Sequence, residues 1–273
     1  MRNFTIASLK RHHEKGRRVA ENIQYYNDFS DDIVQTRNPD YRIPEDYVWI
    51  KKKTAYRLCS AMCYGMIWII GLFYCKCRLH MHIKNKKVLS DCKDTGFFLY
   101  ANHTQPLGDV VMPAYVAGKK RIYTIVSQEN MGIPIIGKIL PALGALPIPT
   151  NMKQMKRFLD AVKIRATEGN GVVIYPEAHV WPYYNKIRKF PDTSFRFPIE
   201  NQLPAFAMTV TYQKRRLGKR PKVTVYVDGP FWPDCVLGRK EQRKKLKNEI
   251  YAIMEKRSLC STYEYIQYRK TGG

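Results

Sequence analysis

The chain reads as an α/β fold: a mixed sheet flanked by helices, with an N-terminal apolar helical segment that contacts a membrane. Three observations point there. Short apolar runs ending in polar turns alternate with longer stretches of helical spacing, the pattern of strands and helices sharing one sheet. Leu58 to Cys75 is an uncharged run between Arg57 and Lys76. The formal net charge is +24 over 273 residues, a surplus that suits a polyanionic partner such as anionic lipid, an acidic carrier or nucleic acid.

Residues 1–57 are polar, tyrosine-rich and charged, with a two-proline loop over 37–46. They read as an extension that docks on the main domain. The first twenty residues are basic and polar, so no secretory signal is expected. Residues 58–78 form the membrane-associating segment. A full span needs about 20 apolar residues, and the uncharged run falls just short. Lys51, Lys52, Lys53 and Arg57 precede it; Lys76, Arg78, Lys84, Lys86 and Lys87 follow it. Basic flanks on both sides do not give the asymmetry of a single span. A re-entrant or interfacial helix is therefore favoured over a span or a buried core helix, with the flanks on anionic headgroups.

Residues 79–258 form the main domain, and 259–273 a tail. Leu79–Ile83 and Phe97–Ala101 read as short strands, Leu107–Ala117 as an apolar helix and Ile122–Ser127 as a strand. Lys153–Thr167 has helical spacing, stopped by Gly169-Asn170-Gly171, and Val172–Tyr175 is a short buried strand. Ala205–Tyr212 and Val223–Val227 are further strands, and Gln242–Glu255 a closing amphipathic helix.

The seven cysteines are odd in number, and five of them fall within 59–92. Reduced thiols in a cytosol-facing protein fit this better than a disulfide framework. Cys75-x-Cys77 with His80 and His82 matches no common zinc spacing, so no metal site is expected.

Two segments carry chemistry. In Phe97–Asp109 a buried strand ends in Asn102-His103 and runs into a helix bearing Asp109. In open α/β sheets ligands bind beyond the carboxyl ends of strands, where His103 would sit. Histidine supplies a base near neutral pH, and a carboxylate can hold its tautomer. The same residues would also serve as an ordinary loop terminus with a helix-start Asp. In Val172–His179 a second buried strand ends in Glu177 and His179. Cysteine–histidine catalysis is disfavoured, because the thiols lie away from both strand ends.

Asn102-His103…Asp109, then Gly144–Pro149, then Tyr175-Pro176-Glu177, then Leu203–Ala207 resemble, in order and spacing, the four sequence blocks of the glycerolipid acyltransferases. The closest type is the bacterial 1-acylglycerol-3-phosphate (lysophosphatidate) acyltransferases, and the resemblance spans residues 79–258. It implies a membrane-lying enzyme of phospholipid synthesis. His103 is then the general base on an acceptor hydroxyl, Asp109 orients it, and Asn102 and Glu177 help to position the acceptor. No cofactor is implied; the co-substrate is an acyl-CoA or acyl carrier protein thioester. The implied partners are an anionic membrane surface and a lysophospholipid, without nucleic acid. The implied location is the cytoplasmic face of the cell membrane, peripheral, monotopic or single-pass.

Three departures bear on the site. Five residues separate His103 from Asp109, where the family usually has four. The second block continues as Pro149-Thr150-Asn151 rather than ending in Arg, and the third reads Glu177-Ala178-His179-Val180 rather than Glu-Gly-Thr-Arg. The two arginines that would bind an acceptor phosphate are thus missing. Lys153, Lys156, Lys186, Arg188, Lys189 and protonated His179 are the candidate substitutes. A different acceptor, such as glycerol-3-phosphate or another lysolipid, and an inactive membrane scaffold are the alternatives. A nucleic-acid binder would explain the charge, but no zinc-finger, RNP-like or basic-zipper pattern is present.

Overall fold

The computed structural model describes residues 22–34, 38–92 and 94–271. The expected α/β architecture is present. The elements in chain order are β1 (Ile23–Tyr26), α1 (Thr54–Phe73), β2 (His82–Lys84), β3 (Phe97–Ala101), α2 (Gly108–Ala117), β4 (Ile122–Ser127), α3 (Ile136–Ile139), β5 (Ala145–Ile148), α4 (Met152–Thr167), β6 (Gly171–Ile174), α5 (Arg196–Asn201), β7 (Ala205–Gln213), β8 (Lys222–Phe231), α6 (Arg239–Ser258) and β9 (Gln267–Lys270). The main sheet has seven strands in the order β2-β8-β7-β3-β6-β4-β5. β3 pairs in parallel with β6 and β7, and β4 pairs in parallel with β5 and β6. β8 runs antiparallel to β7 and parallel to β2, so the sheet is mixed. The carboxyl ends of β3, β4, β5, β6 and β7 therefore share one edge.

The central strands β3, β6 and β7 are buried on both faces because side chains alternate between two cores. Along β3, Phe97, Leu99 and Ala101 face one cluster, with Met112 and Val116 of α2. Phe98 and Tyr100 face the other, with Phe158 and Val162 of α4 and Leu246, Ile250 and Met254 of α6. Continuous apolar runs such as Phe97–Ala101 are what this two-sided burial requires.

Several elements depart from the sequence reading, four of them strands. The strand expected at Leu79–Ile83 begins only at His82. Leu79 and Met81 are buried, but as the exit from a π turn over Tyr74–Arg78, with His80 at φ 47°. β5 was not anticipated because Pro147 lies inside it. Proline is tolerated on an edge strand, and β5 is the edge, paired only with β4. β1 and β9 form a separate two-stranded parallel ribbon. That pairing joins opposite ends of the chain, so no local pattern announces it.

The ribbon and the segment after it lie on the loops at the carboxyl edge. Tyr26 and Tyr268 pack on the Trp181 indole at 4.8 and 5.0 Å between ring centroids. The indole N–H donates to the Asp31 carbonyl (2.9 Å). Further along, the Gln154 amide donates to the Pro44 carbonyl (2.8 Å), and the Trp49 indole to that of Pro147 (3.0 Å).

α1 is long and apolar enough to cross a membrane by length and composition, yet it lies against the domain. Its inner face is specific: Ser60 donates to the Ala142 carbonyl (2.6 Å), Tyr64 accepts from the Ile122 N–H (2.9 Å), and Trp68 donates to the Ala114 carbonyl (3.3 Å). Its outer face carries Leu58, Met62, Met66, Ile69, Ile70 and Phe73, all exposed. Their spacing of three and four places them on one stripe. At Gly71 a Cβ would come within 2.8 Å of the Val111 Cβ. Gly71→Leu is expected to pry α1 from α2 and cost about 1–3 kcal/mol, the range for overpacking. Urea unfolding in neutral detergent reads this; no loss would mean that α1 is not seated as described.

Candidate active site

β3 ends at Ala101, and the next residue fixes the chain beyond it. The Asn102 amide oxygen accepts from the Val210 N–H (2.8 Å), and its NH2 donates to the Val210 carbonyl (3.1 Å). Asn102 thereby extends the pairing with β7 through its side chain. Both ends of the amide are used, so Asn102 positions the loop instead of meeting an acceptor.

His103 follows, facing the first turn of α2. Its Nδ1 lies 2.7 Å from Asp109 Oδ2. The longer spacing does not prevent the contact. The chain has already begun to coil, with the Asp109 N–H donating to the Gln105 carbonyl (2.8 Å), while the Gln105 N–H donates to Asp109 Oδ2 (2.9 Å). The carboxylate thus accepts from ring and backbone together. The His103 side chain is 19% exposed and that of Asp109 3%. Only the imidazole can be reached from outside. With the proton on Nδ1, Nε2 presents its lone pair outward.

The position of Asp109 depends on two residues that motif matching did not single out. Pro113 lies inside α2 and has no N–H, which leaves the Asp109 carbonyl without its helical donor. The Tyr175 hydroxyl donates to that carbonyl at 2.6 Å. The Tyr175 ring also stacks on the His103 imidazole, with centroids 4.3 Å apart and planes 21° apart. Burial pushes the Tyr175 hydroxyl well above its ordinary range, so it stays protonated and donating. The proline was a visible signal of an orphan carbonyl; its partner was not visible.

Glu177 and Arg188 come together beneath the loop, with side chains 0% and 1% exposed. Glu177 Oε2 accepts from the His103 backbone N–H (3.1 Å) and from the Arg188 guanidinium (3.2 Å); Oε1 accepts from the Arg188 backbone N–H (2.9 Å). Arg188 also donates to the carbonyls of His179 and Phe29, and lies over the Trp181 ring. Expected to contact substrate, both residues are instead spent on each other and on the backbone of His103. The loop is closed further by the Trp181 N–H on the His103 carbonyl (2.9 Å) and the Tyr183 N–H on that of Thr104 (2.8 Å). Behind it, the Tyr212 hydroxyl meets Thr104 Oγ1 (2.7 Å) and the Gln105 amide (3.1 Å).

The other candidates are dispersed. His179 is 40% exposed, 3.7 Å from Asp32. Lys186 and Lys189 are exposed on the same loop, which follows β6, the immediate neighbour of β3. Lys153 opens α4 after β5, three strands from β3, or about 14 Å at normal strand spacing. Ala178 adopts φ 65°, which explains why glycine suits this place in the related motif. Among the described residues, no group of three or more His, Cys, Asp or Glu is placed to hold a metal.

Burial raises the Asp109 carboxyl above its ordinary 3.8, against the opposing pull of His103. Burial likewise raises Glu177, opposed chiefly by Arg188. A raised carboxyl keeps its proton longer in the folded chain than in the unfolded one. Its contribution to stability therefore falls as pH rises from 3.8 through the folded value. Asp109→Asn does not titrate, so its unfolding free energy should gain on wild type across that window, as urea unfolding at several pH values would show. Tyr175→Phe keeps the stacking but strips the donor from the Asp109 carbonyl. We expect a loss of about 1–3 kcal/mol, the cost of an unsatisfied buried group. Thermal unfolding measures it, and an unchanged midpoint would remove the hydroxyl from this role.

Comparison with known proteins gives a family match and a fold match. The family model described as Acyltransferase matches residues 80–211, a segment that contains His103, Asp109, Tyr175, Glu177 and Arg188. No curated protein matches the chain significantly. Among solved structures, the chain is similar to the crystal structure of the 1-acyl-sn-glycerophosphate (LPA) acyltransferase PlsC from Thermotoga maritima. The identity is 15% and the TM-score 0.51, over 79% of this chain and 86% of that one. At that identity the likeness is one of fold. Residues 80–211 thus match the Acyltransferase family model, and the chain has a fold similar to that of the PlsC structure.

Proposed function

We propose that this chain is a membrane-associated O-acyltransferase of phospholipid synthesis. It moves a fatty acyl group from an acyl-CoA or acyl carrier protein thioester to the hydroxyl of lysophosphatidate, giving phosphatidate. One observation carries the reading. The His103–Asp109 pair, with Nε2 open, lies at the carboxyl edge of the sheet beside a bare apolar surface. Gly71 of α1 packs on Val111 of α2, and Leu107 and Val110 at the start of α2 are exposed, as is the outer stripe of α1. A lipid acceptor lying along that surface would bring its hydroxyl to the imidazole.

In the proposed reaction His103 Nε2 takes the proton of the acceptor hydroxyl as its oxygen attacks the thioester carbonyl. Asp109 stabilises the imidazolium that forms and prevents the ring from turning. The tetrahedral intermediate collapses by breaking the carbon–sulfur bond, and the imidazolium returns the proton to the departing thiolate. Glu177 and Arg188 act through the backbone of His103 and are positioning residues. Contact with an acceptor headgroup falls to His179, Lys186 and Lys189, with Lys153 farther off. Because Arg188 is occupied, glycerol-3-phosphate and neutral lysolipids are the acceptors to test beside lysophosphatidate. The basic flanks of α1 favour the anionic, cytoplasmic face of the cell membrane.

The test is direct. Purified protein in anionic vesicles is given lysophosphatidate with acyl-CoA or acyl carrier protein thioester, and phosphatidate is followed by mass spectrometry beside His103→Ala. We expect product from wild type and a loss of about a hundredfold or more in the variant, the low end for a general base. Equal rates would remove His103 from the chemistry. No product with either donor or any of the three acceptors would leave the fold as a membrane scaffold.

A further inference from the structure

The opposite edge of the sheet carries a polar cleft of about 500 Å³. Lys51, Tyr56, Arg57, Arg121, Arg165 and Glu168 line it. Arg121 sits just before β4, and Glu168 just before β6, so the cleft opens at the amino ends of these strands. Tyr56 and Arg57 belong to the first turn of α1. The end of α1 that packs near Asp109 is about 24 Å away along the helix, at 1.5 Å per residue. The cleft is therefore separate from the surroundings of His103.

Four cations face one carboxylate there. Two of them are arginines held in place by aromatic rings. The Arg121 guanidinium lies over Tyr64 (4.8 Å) and Tyr123 (5.3 Å), and that of Arg165 lies over the same Tyr123 (4.8 Å). Arg121 spends Nη2 on Ser60 Oγ (2.6 Å) and the Ala142 carbonyl (2.8 Å). Arg165 spends Nη1 on Glu168 (2.9 Å). Nη1 of Arg121 and Nη2 of Arg165 make no hydrogen bond to a described residue, although neither is sealed from solvent. Lys51 Nζ lies 4.7 Å from the Tyr56 ring centroid. Fixed guanidinium forks with spare donors suit a tetrahedral oxyanion, because little side-chain freedom is lost on binding.

The α1 side of this cleft is partly apolar. Ala61 lines it, and the exposed Leu58 and Met62 of the α1 stripe flank it. An occupant that joins a phosphate to an acyl chain meets both surfaces at once. We infer that the cleft binds a phosphate group, either that of an anionic lipid lying along α1 or free phosphate. As a lipid site it would fix the amino-terminal end of α1 at the headgroup level while the other end leads to His103. This site is independent of the acyl-transfer reading.

The test uses the full chain in neutral detergent, its binding to phosphatidylcholine vesicles with and without phosphatidylglycerol, and calorimetry with inorganic phosphate. Phosphatidylglycerol is neither acceptor nor product of the proposed reaction, so failure here and failure there are distinguishable. The variant is Arg57→Gln with Arg165→Gln; Arg121 is left intact because it ties α1 to the Ala142 carbonyl. About 1 kcal/mol per basic residue near an anionic surface corresponds to a loss of about 30-fold for the pair. Lys51→Gln alone should lose about fivefold on the same scale. A charge-matched control at exposed positions elsewhere, Arg216→Gln with Lys244→Gln, should lose far less. Loss with phosphatidylglycerol alone assigns the site to a lipid headgroup, and loss with inorganic phosphate as well assigns it to phosphate as such. Equal losses in the two double variants would mean diffuse charge attraction and overturn the site, as would wild-type binding that ignores both ligands.

Discussion

A carboxylate and a guanidinium, both taken out of water, hold the candidate site together. Glu177 receives the backbone N–H of His103 and both the backbone and side chain of Arg188. Two buried charges are tolerable only when they face each other and their remaining hydrogen-bonding sites are filled. That requirement brings the end of β3 against the loop after β6. It also explains the terminal ribbon. The His179 and Phe29 carbonyls and the Trp181 ring take up most of the Arg188 guanidinium, leaving its buried Nε without a hydrogen bond, and Trp181 is in turn packed against Tyr26 and Tyr268. Removing either charge would strand the other, so the pair commits the loop, the ribbon and the His103 backbone to one arrangement.

The imidazole is governed from its other side by α2. A proline within that helix would ordinarily only weaken it. Here the freed Asp109 carbonyl becomes the point at which Tyr175 ties β6 to α2, and the same tyrosine ring lies flat on His103. Backbone, carboxylate and ring are each fixed from a different element. Preorganisation of this kind suits a base that must not turn as it gains charge. It also has a cost, since the buried Asp109 carboxyl is held above its ordinary range by desolvation.

α1 links the domain to its surroundings. Its inner face is bonded to the domain at Ser60, Tyr64 and Trp68, and its outer face is left bare. Such a two-faced helix is a candidate for membrane contact. The carboxyl-edge site and the basic cleft lie toward opposite ends of this helix.

Much of this was legible in the chain. The strand at Phe97–Ala101 coincides with its apolar run, because two-sided burial demands uninterrupted hydrophobic residues, and the largely apolar Ile122–Ser127 is likewise a strand. The block order Asn102-His103…Asp109 and Tyr175-Pro176-Glu177 pointed to the domain that the family model also matches, because strand-end chemistry is written locally. What remained hidden was set by contacts between residues far apart. Five intervening residues can still deliver Asp109 to His103, but whether they do depends on where α2 packs. Whether Glu177 and Arg188 meet a substrate or each other depends on what covers them, and that cover comes from both ends of the chain. Local sequence determined the elements and the residues capable of chemistry, since hydrophobic periodicity and side-chain type are local properties. Tertiary structure alone decided which polar groups were spent on one another and which were left open, since burial is a property of the whole fold.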